Sequence, residues 1–191
     1  MTTLAVQNGT IFFEEEFLNQ EEADLLFKHF EETLPFHQGT ITLFGKTHAI
    51  PRLETFFATE NKTYSYSGKT LETHPFTPEL LALKSKIEAI SQEQFNCVLV
   101  NLYRNGQDSN GWHADNEPEL GKNPVIASLS LGVTRRFDLR HNLTKEKISF
   151  DLTNGSLLLM KGEMQHFWKH QIVKTKKVNE GRINLTFRWV G

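Results

Sequence analysis

The stretch Arg182-Ile183-Asn184-Leu185-Thr186-Phe187-Arg188 alternates polar and apolar residues without a break. A period of two is the spacing of an extended strand, whose side chains leave opposite faces in turn. Ile183, Leu185 and Phe187 therefore turn toward a core, while Arg182, Asn184, Thr186 and Arg188 share the other face. Two guanidinium groups, an amide and a hydroxyl on one face suit a dianionic acid, because a guanidinium fork matches a carboxylate through two parallel hydrogen bonds. A salt-bridged edge strand has the same composition, so this strand alone leaves both readings open. The stretch Asn96-Cys97-Val98-Leu99-Val100-Asn101-Leu102-Tyr103 repeats the device, with Val98, Val100 and Leu102 on one face and Asn101 and Tyr103 on the other.

Between these strands lies Trp112-His113-Ala114-Asp115-Asn116-Glu117-Pro118, followed later by His166-Phe167-Trp168-Lys169-His170. On a strand, His113 and Asp115 at i and i+2 leave the same face. A histidine arriving from a later strand completes two imidazoles and one carboxylate. That is the facial triad that holds iron(II) and leaves coordination positions open. With eight histidines in the chain, a lone His-x-Asp is a weak signal, and an isolated histidine is more often structural. Three segments, each turning polar groups to one strand face, make a stronger one.

After Asn96 the sequence turns to short strands, with Asn154-Gly155 as a hairpin turn signal between residues 147–152 and 156–160. Many short strands around one metal site point to two packed sheets in a jelly roll. Two helices precede them. Asn19 caps the first, with Glu22 at its third position and Leu25, Leu26 and Phe30 on its apolar side. Thr77 caps the second, Pro78 opens it, and Leu80, Leu83, Ile87 and Ile90 form its buried stripe.

The length of 191 residues fits one domain. The single cysteine, Cys97, excludes a disulfide framework within the chain and favours a reducing compartment. No basic-then-apolar leader opens the sequence and no apolar run reaches membrane-spanning length, so a cytoplasmic, monomeric protein without membrane contact is expected. The net charge of −2 does not mark a nucleic-acid binder, but local charge does better. Arg135, Arg136, Arg140, Lys145 and Lys147 form one basic stretch, and Lys169, Lys174, Lys176, Lys177 and Arg182 form another. A basic face on a near-neutral protein fits a phosphate-tracking surface, and equally a pair of solvated loops.

The run from Asn101-Leu102-Tyr103 through His113-Ala114-Asp115, Ile126-Ala127-Ser128-Leu129-Ser130-Leu131-Gly132, Gly155-Ser156-Leu157-Leu158-Leu159-Met160 and His170 to the arginine-bracketed strand 182–188 closely resembles the AlkB-type dioxygenases. The resemblance covers about residues 40 to 190 and is nearest to the branch that repairs alkylated DNA. It implies a single domain over 1–191: a double-stranded β-helix, mainly β with flanking helices. Residues 1–95 would hold the N-terminal helices and the nucleotide-recognition region, and 96–191 the catalytic jelly-roll core. It implies iron(II) on His113, Asp115 and His170, with His170 rather than His166 in the distal position, and His166 and His141 at the surface or behind the ligands. It implies 2-oxoglutarate as co-substrate, bound by Asn101, Tyr103, Arg182, Asn184, Thr186 and Arg188, with the two arginines not yet divided between its carboxylates.

For the substrate, the resemblance implies a flipped-out base. Tyr64 and Tyr66 share a strand face at i and i+2, and with Ser65 and Ser67 they match positions where relatives grip that base. Tyr66 and the His113 ring would sandwich it. Phe44 before Gly45-Lys46 fits a hairpin tip whose apolar finger fills the gap in a duplex, with Arg52 following. Glu117 matches an acidic position at the base edge, whereas Asn116 stands where relatives usually carry aspartate, which leaves the preferred lesion open. Sequence reading thus expects an enzyme that oxidatively dealkylates bases in DNA, duplex or single-stranded. An oxygenase acting on RNA or a protein side chain, and a non-catalytic nucleic-acid-binding barrel, stand as the alternatives.

Overall fold

The computed structural model describes residues 2–43, 45–59, 65–66, 69–70 and 72–191, with Leu43 and residues 65, 66, 69 and 70 described by backbone alone. A strand hairpin, β1 (Thr2–Val6) and β2 (Gly9–Glu14), precedes helix α1 (Gln20–Thr33). A second hairpin, β3 (His37–Leu43) and β4 (Lys46–Ala58), leads through β5 (Ser65–Tyr66), β6 (Lys69–Thr70) and β7 (Thr73–Pro75) to α2 (Pro78–Ser91). Then come β8 (Cys97–Tyr103), β9 (Asn110–His113), β10 (Ile126–Gly132), β11 (Arg135–His141), β12 (Lys147–Leu152) and β13 (Leu157–Lys161). The short helix α3 (Met164–Phe167) runs directly into β14 (Trp168–Ile172), and β15 (Arg182–Arg188) closes the set.

The larger sheet has the order β1-β2-β13-β10-β15-β8-β4-β3, with β7 beside β4, and the smaller has the order β12-β11-β14-β9. Their inner faces meet through Tyr103, Ile126, Leu158 and Met160 on one side and Phe137, Leu139, Trp168 and Ile172 on the other. This is the expected double-stranded β-helix. Both helices lie on the outer face of the larger sheet, where Phe30, Leu80, Leu83 and Ile87 pack with Val98, Val100, Leu102, Ile183, Leu185 and Phe187. The strand β15 sits between β10 and β8 at the centre of its sheet, which rules out the salt-bridged edge reading. Among the described residues, no helix is long and apolar enough to cross a membrane.

The caps form as expected: Asn19 Oδ1 accepts from the Glu22 amide at 2.9 Å, and Thr77 Oγ1 from the Leu80 amide at 3.3 Å. Two apolar positions do not follow. Leu25 is 64% exposed because it lies about 200° around α1 from Ala23, on the side away from the buried Ala23 and Phe30. Ile90 is 43% exposed, and Ser91 takes its expected place in the buried stripe. The Asn154-Gly155 signal marks no hairpin. β12 pairs with β11, whereas β13 pairs with β10 and β2, so the turn carries the chain from one sheet to the other. Asn154 Oδ1 accepts from the Gly132 amide at 2.7 Å, and Gly155, at φ +81°, lies against the Leu18 carbonyl. A turn residue with φ > 0 is needed at either kind of connection, so the dipeptide alone does not distinguish them.

β2 pairs with β13 and β4 with β8, which extends the main sheet into the first half of the chain.

Candidate metal centre

β9 and β14 run antiparallel and set His113 directly opposite His170, with ring centroids 4.2 Å apart. β9 ends at His113, so Asp115 is not the strand residue expected. Its position is fixed by other means. Its backbone N–H donates to Gln165 Oε1 at 2.9 Å, and its Oδ2 accepts from Arg188 Nη2 at 2.8 Å and Nε at 3.2 Å. One ligand atom from each of His113, Asp115 and His170 falls within 4.8 Å of the others.

The donor chemistry fits a divalent metal. Asp115 Oδ1 is buried without a hydrogen-bond partner and lies 3.8 Å from His113 Nε2. A buried, unpartnered carboxylate oxygen carries a desolvation penalty that a cation removes. His113 Nδ1 lies 2.7 Å from the Gly111 carbonyl, which can only accept, so the proton sits on Nδ1 and Nε2 keeps its lone pair. Burial pushes His170 down to about 3 and lowers His113 too. Burial alone would raise the Asp115 carboxyl, but Arg188 and the two imidazoles hold it well below the usual carboxylate range. Two neutral imidazoles and one carboxylate are the ionisation states that metal binding requires.

A pH dependence follows. Between the ordinary histidine value near 6.5 and about 3, unfolded chains take up a proton at residue 170 that the folded protein does not. The metal-free protein is therefore expected to lose stability as pH falls below about 6.5, by up to about 1.4 kcal/mol per pH unit for this histidine. Chemical denaturation in chelator at stepped pH measures the slope, and His170→Gln should flatten it.

Asn101, Tyr103, Asn184, Thr186 and Arg188 line the same cavity as the triad. The two arginines occupy opposite ends of β15, about 20 Å apart along six residues of strand. Arg188 is engaged with Asp115. Arg182 donates through Nη2 to Ser130 Oγ at 2.8 Å, and its guanidinium lies 5.3 Å from the centre of the Tyr103 ring. Its Nε and Nη1 are buried without partners, and burial lowers its pKa to about 10. Unpartnered buried N–H groups beside Tyr103 fit one carboxylate of 2-oxoglutarate, as the unpartnered Asp115 oxygen fits iron(II). Asn184 spends its amide hydrogens on Ser128 Oγ at 2.8 Å and the Leu129 carbonyl at 3.0 Å.

Several expected positions differ. Arg52, expected as a substrate contact, is 4% exposed and donates from Nε to Asn101 Oδ1 at 2.7 Å, which orients the amide of Asn101. Arg135 and Arg182 are also buried and leave the expected basic face. Arg135 spends its guanidinium on the backbone carbonyls of Asn105, Asp108 and Val173. His166 is exposed as expected, but His141 is fully buried, and its Nδ1 accepts from the Leu143 and Thr144 amides. Gly45 turns the β3–β4 hairpin at φ +75°, with Leu43 opposite Lys46. Ser65 and Tyr66 belong to β5, paired with β6. Phe44, Tyr64 and Ser67 lie outside the described residues. Asn116 is exposed, and Glu117 is partly buried with one unpartnered oxygen; its burial and the Asp115 charge raise its pKa.

Sequence reading missed Gln165, since one residue of a four-residue helix carries no periodic signal. It lies five positions before His170 and is 1% exposed, with its Nε2 3.7 Å from Met160 Sδ. It ties the Asp115 backbone to the segment that bears His170. Gln165→Met keeps volume and removes the acceptor. It is expected to weaken manganese(II) binding about 10- to 100-fold by calorimetry, while Gln165→Glu, which keeps an acceptor, loses less. Equal affinity in Gln165→Met and the parent would discount this role.

Two imidazoles and a carboxylate, mounted on a double-stranded β-helix, are the donor set that would hold a single iron(II) ion in an oxygenase. The comparisons agree: residues 10–188 match the family model of the 2OG-Fe(II) oxygenase superfamily. Alpha-ketoglutarate-dependent dioxygenase alkB homolog 3 of Bos taurus is 40% identical over 184 residues, covering 91% of this chain and 64% of that protein. DNA oxidative demethylase ALKBH2 of Mus musculus is 35% identical over 178 residues, covering 87% of this chain and 74% of that protein. The solved structure of OsALKBH1 superposes with a TM-score of 0.64 at 19% identity, covering 93% of this chain and 97% of that one, which shows the shared fold. The chain belongs to the 2OG-Fe(II) oxygenase superfamily and, within it, to the AlkB-type dioxygenases. It spans about 64% of the length of the bovine relative.

Proposed function

We propose that the protein oxidatively dealkylates N-alkylated bases in DNA, using iron(II), oxygen and 2-oxoglutarate and releasing an aldehyde, succinate and carbon dioxide. One observation carries the reading: a single cavity holds an unpartnered carboxylate oxygen between two imidazoles and, by way of Tyr103, adjoins a guanidinium with two unpartnered nitrogens. Iron(II) with 2-oxoglutarate and oxygen supplies the oxidation of the N-alkyl C–H bond, and the hydroxylated carbon then leaves as an aldehyde.

The chain's own residues position the reactants. His113, Asp115 and His170 would hold the metal, and Arg188 keeps Asp115 ionised and aimed. Arg182, with Tyr103 and Ser130 beside it, would take the carboxylate far from the metal. Asn101, whose Oδ1 accepts from Arg52, would offer its Nδ2 as a donor to the co-substrate, and Thr186 and Asn184 line the same cavity. Glu117 would meet the base edge with its partly buried carboxyl, and Tyr66 would face the base opposite the His113 ring. The DNA substrate is favoured by the 35% identity to a protein named DNA oxidative demethylase.

The test is competition between methylated single-stranded DNA, duplex DNA and RNA of one sequence, reading succinate and formaldehyde together. Coupled release in equal amounts from DNA supports the proposal. Preference for RNA moves the substrate class, and succinate without formaldehyde on every nucleic acid removes the nucleic-acid reading.

A further inference from the structure

The outer face of the smaller sheet carries a row of cations that neither the fold nor the metal centre uses. Arg140 of β11 stands directly opposite Lys147 of β12 on one side and Lys169 of β14 on the other. Residues so paired share a face with Cβ atoms about 4.5–5.5 Å apart, and like charges placed there repel. Among the described residues, none of the three pairs with a carboxylate. The nearby acid, Asp138, is taken by Arg136 at 2.7 Å and accepts further from Ser149 and Gln171. Lys147 and Lys169 are exposed and Arg140 partly so. On the fourth strand, β9, the Trp112 ring lies 4.5 Å from the Arg140 guanidinium, a cation–π contact that holds this side chain in place.

The row crosses three strands, roughly 10 Å at a strand spacing of about 4.8 Å. It backs onto the wall that bears the metal ligands: His113 follows Trp112 and His170 follows Lys169, with alternate residues on opposite faces. β9 is an edge strand of this sheet, and its residues Asn110 and His113 line the cavity while Trp112 reaches the row. The protein as a whole carries a net charge of −2, so the cluster is not a by-product of general basicity.

We propose that Lys147, Arg140 and Lys169 form a phosphate-binding track for the nucleic-acid strand whose target base enters the cavity. The inference rests on the dealkylase reading and extends it, giving the polymer a second point of attachment on the back of the metal-bearing wall. Three in-register cations without acidic partners weaken a sheet. A polyanion relieves both repulsions at once, whereas a single small anion spans only part of the row. Trp112 pre-orients the central member.

The experiment measures binding of an unmodified oligothymidylate of roughly 16 nucleotides by fluorescence anisotropy over a range of salt concentrations. The combined variant Lys147→Ser, Arg140→Gln, Lys169→Ser is expected to bind at least about tenfold more weakly, with a salt slope smaller by about 2, since each lost phosphate contact on a single strand removes about 0.7. Arg140→Lys keeps the charge and should keep the slope. Turnover of a methylated trinucleotide, too short to reach the row, should fall far less than turnover of the longer strand. An active wild type whose slope the triple variant leaves unchanged, or equal losses on trinucleotide and longer strand, would overturn the track alone. A wild type that dealkylates no strand would instead sink the dealkylase reading.

Discussion

His113→Ala and His170→Ala are expected to reduce succinate formation to assay background and to abolish tight manganese(II) binding, while the chain stays folded. Each removes one of two imidazoles whose rings meet 4.2 Å apart across the β9–β14 ladder, and neither ring anchors the main core. Asp115→Ala should abolish both as well, but it does more. Arg188 Nη2 lies 2.8 Å from Asp115 Oδ2 with both side chains nearly inaccessible, so deleting the carboxylate removes the charged half of a buried ion pair. Breaking such a pair from one side costs about 3–5 kcal/mol. The aspartate variant should therefore melt well below the two histidine variants. His166→Ala, at an exposed position on α3, should retain metal binding. Loss of metal in His166→Ala with retention in His170→Ala would reverse the ligand assignment.

Much of this centre is legible from periodicity. β15 alternates strictly and β8 does so over its last four residues, so the polar face of Asn101, Tyr103, Arg182, Asn184, Thr186 and Arg188 can be read off the sequence, and the ladder between the strands sets Arg182 opposite Tyr103 and Asn184 opposite Asn101. The opposition of His113 and His170 follows once both lie on strands of one sheet. What is not legible is whatever depends on contacts between distant, aperiodic segments. Asp115 lies beyond the end of its strand and is held from 50 residues away by Gln165 and 73 residues away by Arg188. Arg52 is expected among the substrate contacts, yet it is buried and donates to Asn101, because β4 pairs with β8. The Asn154-Gly155 turn shows the same limit: local chemistry specifies a turn, and only the packing of two sheets decides whether the strands it joins are neighbours. The β1–β2 hairpin escapes for another reason. Its run Ile11-Phe12-Phe13-Glu14-Glu15-Glu16 lacks alternation, and it becomes strand by pairing with β13 at the sheet edge.

The two arginines of β15 should separate metal from co-substrate. Arg188→Lys keeps the positive charge beside Asp115 but loses the two-nitrogen grip on Oδ2, at 2.8 and 3.2 Å. Its main effect should be weaker metal binding, with 2-oxoglutarate affinity falling in step, since the acid would bind through the metal held by His113, Asp115 and His170. Arg182→Lys instead alters a guanidinium with two unpartnered nitrogens beside Tyr103, far along the strand from Asp115. It should lower 2-oxoglutarate affinity by about tenfold or more, the range of a charged hydrogen bond, and leave manganese(II) affinity near that of the parent. Arg188→Met is the harsher change. It leaves Asp115 buried with neither oxygen paired, so the metal-free protein should lose about 3–5 kcal/mol. Saturating metal should restore part of that loss, because an ion bound to the folded state alone stabilises it in proportion to the logarithm of its excess over Kd. Calorimetric titration of the two lysine variants with manganese(II), then with 2-oxoglutarate in its presence, gives the four affinities. If Arg182→Lys and Arg188→Lys weaken metal and co-substrate alike, the arginines act as one network and the division between the ends of the strand fails.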